Sequence, residues 1–406
     1  MGIDYINTDK PEACTAFFRN FEQKNFALNE TDSQEATIIR TDRLDQTTAR
    51  FTGFHAESRH LEKTIELYQP TFLSDGAARP AKNVILLIGD GMGLSQVCVA
   101  DAVNQGLSML QLKQIGLQRT QAKDAYTTDS AGAGSSLATG QSNNNRHISM
   151  SETGEIYETL TERLAKQNRS CGVVTFGNIA GATPAAFYGH TTERDHAGEI
   201  LPWLANGSLA VLCGSGKELL DNLVRNKPLE KELVQTYDLI ETTDSLLLTG
   251  KKVICIDERM GQATTPENLH LLAEVTRQTI RKLEKEEKEG FFLMVEGAKI
   301  DYAGHANSLP NSIMETLGFD LAVAEALRFA DQNGETLVIV TADHETGGLT
   351  LVDGHPDRNH ITAVYMTDDH TPIMVPVFAY GPQSQRFTGI YPNTHIFHKI
   401  IESTEH

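Results

Sequence analysis

The sequence predicts an α/β fold, a three-layer α/β/α sandwich with a large, mostly parallel central sheet. Short apolar runs typical of buried strands alternate along the chain with stretches of helical periodicity. Several of these runs are followed at once by an acid or a histidine. Because α/β sheets hold functional groups at the carboxyl ends of their strands, we expect one edge of the sheet to carry the chemistry.

The predicted elements follow one another in a regular order. A helix begins at Thr265-Pro266 and runs to residue 289, where Gly290 ends it. Further helices are expected at 313–330 and from Asn393 onwards. The strands are predicted at 83–88, 171–176, 209–212, 252–256, 291–295, 336–340 and 375–381.

Two regions of different character divide the chain of 406 residues. Residues 1–80 are polar and weakly patterned, and they are predicted to be an N-terminal arm or packing segment without chemistry of its own. Residues 81–406 carry the strands and are predicted to form one catalytic domain. With 40% hydrophobic residues, the chain can bury a sizeable core.

The charge balance excludes some partners. Lys and Arg number 35 against 54 Asp and Glu, a formal net charge of −19. Such a charge repels nucleic acids and anionic membranes, so we expect neither as a partner. No apolar stretch is long enough for a transmembrane helix. An anionic substrate would need local positive charge, which bound metals or an arginine could supply.

Residues 127–140, TTDSAGAGSSLATG, place Asp129 beside Ser130 and follow them with a run of very small residues. A helix beginning here would put Ser130 at its N-terminus, where free backbone N–H groups and the helix dipole favour an anion. A serine held there can act as a nucleophile if its proton is removed. A loop of small residues, or a close-packed helix without chemistry, is the alternative at this point.

A second group of candidate residues combines acids and histidines. Imidazole with carboxylate suits zinc, and carboxylate with a threonine hydroxyl suits magnesium. Thr183 before Pro184 is predicted to cap a helix. Arg194 is either an oxyanion-binding arginine or a solvated surface side chain. The acids and histidines, all at strand ends or in a loop before a strand, are Asp90, Glu296, Asp301, His305, Asp343, His344 and His370.

From residue 83 to its end, the chain resembles the alkaline phosphatase family. The first 80 residues are not part of this resemblance. Six motifs carry it, in the order the family has them: ILLIGDGMG (85–93), TDSAGAGSSLATG (128–140), ATPAAFYGHTTER (182–194), VEGAKIDYAGHAN (295–307), VTADHETGG (340–348) and DHTPIMVPVFAYGP (369–382).

The resemblance implies hydrolysis of phosphate monoesters through a phosphoserine at Ser130, with Arg194 binding two phosphoryl oxygens. It implies two zinc ions and one magnesium ion. One zinc would be held by Asp301, His305 and His370, the other by Asp90, Asp343 and His344, and the magnesium by Asp90, Thr183 and Glu296.

The sequence departs from the family's pattern at two positions. In the best-known bacterial member, an aspartate stands at Gly181 and a lysine at Tyr302, so the identity and occupancy of the third metal site stay open. The segment between His344 and His370 is too short for the large crown insertion of animal members.

The resemblance also favours a homodimer and a periplasmic or extracellular location, with a cytoplasmic one still open. The rival functions are a phosphodiesterase or sulfatase of the same superfamily, and a metal-stabilised binding protein without catalysis. Ser130 and Arg194 favour the monoesterase, because holding metal requires neither residue. The natural ester stays open.

Overall fold

A ten-stranded sheet lies at the centre of the structure. A computed structural model describes residues 55–60, 65–224, 233–250, 252–286, 289–355 and 360–405. Most of the predicted N-terminal arm, residues 1–54 and 61–64, therefore lies outside the described residues. The strands are β1 (His55–His60), β2 (Asn83–Gly89), β3 (Gln114–Arg119), β4 (Ser170–Asn178), β5 (Val211–Ser215), β6 (Tyr237–Ile240), β7 (Lys252–Ile256), β8 (Phe291–Gly297), β9 (Thr336–Thr341), β10 (Glu345–Thr346), β11 (Thr350–His355), β12 (His360–Tyr365), β13 (His370–Thr371), β14 (Val375–Tyr380) and β15 (Gly389–Pro392).

The strand order in this sheet is β15-β3-β14-β9-β2-β8-β4-β5-β7-β6. β14 is antiparallel to its neighbours β3 and β9, and every other neighbouring pair is parallel. The parallel strands therefore end at one edge of the sheet, and β14 begins at that same edge. The prediction of a mostly parallel sheet is confirmed.

Helices cover both faces of the sheet, as a three-layer sandwich requires. α1, α7 and α9 pack on one face, and α2, α3 and α10 pack on the other. Their bounds, with those of the shorter helices, are α1 (Leu94–Asn104), α2 (Ser130–Thr139), α3 (Leu160–Lys166), α4 (Ala182–Ala185), α5 (Ala197–Ile200), α6 (Lys217–Val224), α7 (Leu271–Glu286), α8 (Lys299–His305), α9 (Leu309–Asn333) and α10 (Thr394–Thr404).

Strand β2 shows why the central strands are apolar along their whole length. Ile85 and Leu87 pack into the layer of α9, whereas Val84, Leu86 and Ile88 pack into the layer of α2. Successive side chains of a strand point to opposite faces, so a strand covered on both sides buries every residue. Full burial of one such side chain contributes about 1.5–3 kcal/mol.

The structure differs from the sequence predictions mainly at the periphery of the sheet. The predicted strands are all present, with ends that differ by a few residues. The edge strands β6 and β15, and β3 next to β15, were not predicted, because they are short or only partly buried and lack a continuous apolar run.

The predicted helix cap at Thr183 is wrong. α4 begins at Ala182, and its N-cap is Gly181, which has no side chain to accept a hydrogen bond. The Thr183 hydroxyl lies inside the first turn and donates to Asp90 Oδ2 at 3.3 Å. Pro184 still fits, because the first N–H groups of a helix have no partner within it.

Two small sheets are formed mainly by strands that follow β9 in the chain. β10 pairs with β13, which brings His370 next to the segment that follows His344. β12 pairs with β11 on one side and with β1 on the other, all antiparallel. Part of the predicted N-terminal segment thus joins a sheet formed by residues 350–365.

The described part of the N-terminal segment also contacts α9. Tyr68 Oη donates to Asp331 Oδ2 at 2.6 Å, and the Thr71 N–H and hydroxyl donate to the same carboxylate at 2.9 and 2.8 Å. Within the described ranges, no helix combines the length and apolarity needed to cross a bilayer.

Candidate active site

The strand ends bring the predicted acids and histidines together at one edge of the sheet. Asp90 follows β2 directly, and Glu296 is the last residue but one of β8. α8 follows β8 and carries Asp301 and His305 on the same helical face, four residues apart. The remaining three come from the segments around β14: Asp343 and His344 after β9, and His370 in β13.

Ser130 is the first residue of α2, as predicted. Asp129 is the N-cap, and its Oδ1 accepts the Gly132 N–H at 2.8 Å. The Ser130 side chain is buried, with Oγ 3.3 Å from His344 Nε2. The small residues allow a close helix contact, because a Cβ at Gly134 would lie 3.3 Å from Thr183 Cα.

His305 and His370 face each other with Nε2 atoms 3.0 Å apart. The Nδ1 atom of His305 lies 2.6 Å from the Asp368 carbonyl oxygen, and that of His370 lies 2.8 Å from the Thr128 carbonyl oxygen. A carbonyl oxygen only accepts, so both Nδ1 atoms carry the proton of the neutral rings. Two Nε2 lone pairs then meet, which is favourable only around a cation.

His344 presents a lone pair in the same way. The Thr346 hydroxyl donates to Asp301 Oδ1, so its oxygen accepts from His344 Nδ1 at 3.3 Å. His344 Nε2 is therefore unprotonated in the neutral ring. It lies 3.2 Å from Asp343 Oδ2 and 3.5 Å from Asp90 Oδ1. A lone pair facing two carboxylate oxygens again fits a bound cation.

Each of three buried carboxylates has one oxygen with a partner and one without. Asp343 Oδ1 accepts the Gly91 and His344 N–H groups at 3.1 and 2.8 Å. Among the described residues, Asp90 Oδ1, Asp301 Oδ2 and Asp343 Oδ2 have no hydrogen-bond partner. Buried oxygens of this kind are costly unless an ion satisfies them, so these residues fit divalent metals.

Two groups of side chains could each hold one ion. Asp90, Asp343 and His344 form one, and Asp301, His344 and His370 form the other. The resemblance places His305 with Asp301 and His370, and His305 Nε2 lies 3.4 Å from Asp301 Oδ1. The ring of His344 stacks on that of His370, with centroids 3.6 Å apart, so His344 adjoins both groups.

Thr183 and Glu296 both adjoin Asp90. The Thr183 hydroxyl donates to Asp90, and Thr175 donates to Glu296 Oε2. Burial raises the pKa of Glu296 to about 7. Burial likewise raises the pKa of Asp90 well above its ordinary value, and the nearby carboxylate of Asp343 adds to the effect. A bound cation would relieve this repulsion.

Arg194 is buried, which excludes the alternative of a solvated surface arginine. Its Nη1 donates to Asp129 Oδ2 at 3.2 Å, which directs the guanidinium to the N-terminus of α2. The acid that the sequence shows next to Ser130 therefore both caps the helix and orients the arginine.

Sequence reasoning missed several residues that support the site. Thr346 and Thr175 donate to Asp301 and Glu296. Lys299 is buried and donates to the Met260 and Phe176 carbonyl oxygens, which anchors α8. No local pattern marks these residues, although Lys299 is notable as a cation within a buried motif. Tyr302 packs with alanines, namely Ala263, Ala303 and Ala306.

A family model described as alkaline phosphatase matches residues 81–227 and 257–363. The chain belongs to the alkaline phosphatase family. Alkaline phosphatase 4 of Bacillus subtilis (strain 168) is 30% identical over 344 residues, which cover 80% of this chain and 74% of that protein. Streptomycin-6-phosphate phosphatase of Streptomyces griseus is 31% identical over 406 residues, covering 78% and 89%.

Solved alkaline phosphatases share the fold. The enzyme from the Antarctic bacterium TAB5 has a TM-score of 0.74 and 34% identity, covering 80% of this chain and 99% of that one. A mutant of the TAB5 enzyme has been solved with Mg bound in its M3 site. The predicted family, fold class and enzyme class are confirmed, and family and fold together support phosphate-monoester hydrolysis.

Proposed function

We propose that this alkaline phosphatase transfers the phosphoryl group of a monoester to Ser130 and then to water. The observation that carries the proposal is the position of the Ser130 hydroxyl. It lies at the N-terminus of α2, next to histidine lone pairs and unpartnered carboxylate oxygens that fit metal ions. A phosphoryl dianion beside this serine would be attracted by the N–H groups, Arg194 and the ions.

The side chains of the site divide into three sets of metal ligands. We assign one zinc ion to Asp301, His305 and His370, and a second to Asp90, Asp343 and His344. A magnesium ion would be held by Asp90, Thr183 and Glu296. When bound, the two zinc ions would stabilise negative charge on the attacking and departing oxygens. Gly181 leaves the third ion with one carboxylate fewer than the family pattern supplies.

Ser130 and Arg194 perform the two other tasks. Arg194 donates two hydrogen bonds to phosphoryl oxygens and holds phosphorus in line with Ser130 Oγ. The Ser130 hydroxyl gives up its proton to solvent as a bond forms between Oγ and phosphorus. The bond to the ester oxygen breaks at the same time, and the departing alkoxide takes a proton from solvent. Water then attacks the phosphoserine, which releases phosphate and returns a proton to Ser130.

The substrates we propose are small phosphate monoesters of varied structure. Arg194 and Ser130 contact the phosphoryl group, which all such esters share, so the alcohol contributes little to recognition. One relative is named for streptomycin 6-phosphate and others simply as alkaline phosphatases. A homodimer and a periplasmic or extracellular location remain predictions from the resemblance.

Hydrolysis of an aryl phosphate and of the matching diester tests the proposal. We expect monoester hydrolysis to exceed diester hydrolysis strongly, because the second hydrogen bond of Arg194 requires a free phosphoryl oxygen. Exhaustive chelation should abolish both activities, and added zinc should restore them. Faster hydrolysis of the diester would instead identify a phosphodiesterase, and no hydrolysis by the zinc-loaded protein would identify a binding protein.

A further inference from the structure

The side chain of Arg146 bridges the two residues on either side of Arg194. Its guanidinium forms a two-pronged contact with Glu193, with Nε 3.0 Å from Oε2 and Nη2 2.6 Å from Oε1. The same Nη2 donates to Asp195 Oδ2 at 2.5 Å. Such forked contacts fix orientation as well as charge, so Arg146 holds the chain on both sides of Arg194.

The backbone of Arg146 also contacts Arg194 and the carboxylate that orients it. The Arg146 N–H donates to Asp129 Oδ2 at 2.9 Å, the same oxygen that accepts from Arg194 Nη1. The Arg194 N–H donates to the Arg146 carbonyl oxygen at 2.8 Å. These contacts are made with Arg146 in the left-handed backbone conformation, at φ 69°. A non-glycine residue rarely adopts this conformation, so the surrounding contacts must hold it in place.

We propose that Arg146 is a positioning residue for Arg194, and this inference rests on the proposed phosphoryl-binding role of Arg194. Arg146 neutralises the Glu193 and Asp195 carboxylates that flank Arg194 in the chain. Without Arg146, those carboxylates become competing partners for the Arg194 guanidinium, and their negative charge repels the phosphoryl dianion. The expected consequence is weaker binding of phosphate with the catalytic serine and the metal ligands intact.

The size of the effect follows from exposure. The Arg146 side chain is 39% exposed, so water screens its charge. We expect Arg146→Gln to weaken binding of inorganic phosphate about three- to fivefold, the upper part of the range for a partly exposed charged contact. Arg146→Lys keeps the charge without the fork and should lose less. The backbone contacts to Asp129 and Arg194 stay available in both variants.

A double-mutant cycle separates this role from a merely structural one. Phosphate binding to the metal-loaded protein is measured by titration calorimetry for the wild type, Arg146→Gln, Arg194→Ser and the double variant. Arg386→Gln is the matched control. The Arg386 side chain is 42% exposed and pairs with Glu402 at 2.9 Å and with Gln383, neither of which is a site residue. The kcat/KM for an aryl phosphate is measured alongside.

The inference is supported if Arg146→Gln weakens phosphate binding when Arg194 is present. In the Arg194→Ser background, the same substitution should change phosphate binding less than about twofold. It is overturned if the loss is the same in both backgrounds, or if Arg146→Gln binds phosphate as tightly as Arg386→Gln does. If Arg146→Gln folds poorly, Arg146→Met removes the charge and the fork while keeping the apolar part of the side chain, and it is tested by the same criteria.

Failure of the proposed function has a different signature. In that case Arg194→Ser itself would bind phosphate as the wild type does, or the metal-loaded wild type would neither bind phosphate nor hydrolyse the monoester. Either result removes the inference together with the role of Arg194. A clear loss in Arg194→Ser with no loss in Arg146→Gln removes the inference alone.

Discussion

Ser130 is the residue on which the proposed reaction depends, and its contacts allow a clean substitution. Only its hydroxyl lies near His344, while the cap at Asp129 holds the helix start. We expect Ser130→Ala to lower monoester turnover by on the order of 10³-fold, about 4 kcal/mol in activation free energy. The zinc content of the variant should equal that of the wild type, because Ser130 belongs to none of the ligand sets.

Acid quenching during turnover of a labelled monoester checks this expectation. Label should be recovered on Ser130 in the wild type and be missing from the alanine variant. Label on any other residue of the wild type would show that the nucleophile has been assigned wrongly.

Gly181 is the second residue at which a single substitution tests the site, in this case its binding of magnesium. It lies at φ −55°, which any residue can adopt, and an added Cβ would be 3.0 Å from the Asn178 carbonyl oxygen. Gly181→Asp should therefore be tolerated after a small shift of that carbonyl. By restoring the carboxylate of the family pattern, it should tighten magnesium binding on the order of tenfold, a typical effect of groups that support metal ligands.

Titration calorimetry of magnesium into zinc-loaded protein measures this change. Gly181→Asn serves as the control, because it adds the same volume without a charge. Equal magnesium affinity in the two variants would mean that the charge at this position does not act on the third site.

At the scale of elements, α9 joins the helical layer to the chain that follows α1. Asp320 of α9 accepts the Ser108 and Met109 N–H groups at 2.7 and 2.9 Å. Burial outweighs these hydrogen bonds and raises the pKa of Asp320 from 3.8 to about 6. A carboxyl group whose pKa is higher in the folded state stabilises the fold fully below the unfolded pKa. That contribution is lost as pH rises through the folded pKa.

This shift predicts how the stability of a variant depends on pH. Between pH 4 and pH 7 the wild type should lose about 2 kcal/mol relative to Asp320→Asn, since one pKa unit corresponds to roughly 1.4 kcal/mol and the unfolded carboxyl is already partly ionised at pH 4. The free energy of unfolding is measured by denaturant titration of both proteins. Taking the difference between them cancels the loss of metal at acid pH. A difference that stays constant from pH 4 to pH 7 would contradict the raised pKa.

At the scale of the whole molecule, the site gathers buried carboxylates in a chain that is already acidic, with a net charge of −19. Metal removal should therefore destabilise the entire fold. A ligand at about 1,000 times its dissociation constant adds roughly 4 kcal/mol of stability. In a chain of 406 residues, the loss of that contribution should lower Tm by about 5 °C.

Calorimetry before and after exhaustive chelation measures this effect, with the metal content of each sample determined separately. Added zinc should restore the original Tm, whereas potassium added at the same concentration of positive charge should not. A metal-free sample with an unchanged Tm would show that the buried carboxylates do not depend on ions.

The sequence was most informative where burial is complete. The central strands β2, β4, β8 and β9 are covered on both faces, so their apolar runs are continuous and easily recognised. Strand β3, second from one edge, mixes buried with more exposed residues, and the edge strands β6 and β15 have four residues each. Such strands depend on pairing with neighbours that are distant in the chain, which no local pattern records.

The site shows the same limit. Asp90, Asp343 and His344 were recognised because they follow apolar strands, and the structure brings them together. The sequence did not reveal the contacts of Asp129 and Arg146 with Arg194, because these contacts join segments far apart in the chain. Thr183 was misassigned as a cap because the pair Thr-Pro is a common helix start, whereas its hydroxyl faces Asp90.

The pairing of β10 with β13 and the stacking of His344 on His370 hold together two points that are well separated along the chain. Strands β11 and β12 lie between those points, so they belong to a chain segment whose two ends are held together. In polymer terms, doubling the length of such a closed segment costs only about 0.6 kcal/mol. Additional residues between β11 and β12 would therefore leave the two histidines in place. Proteins of this architecture can therefore gain chain at this point with little effect on the positions of the two histidines.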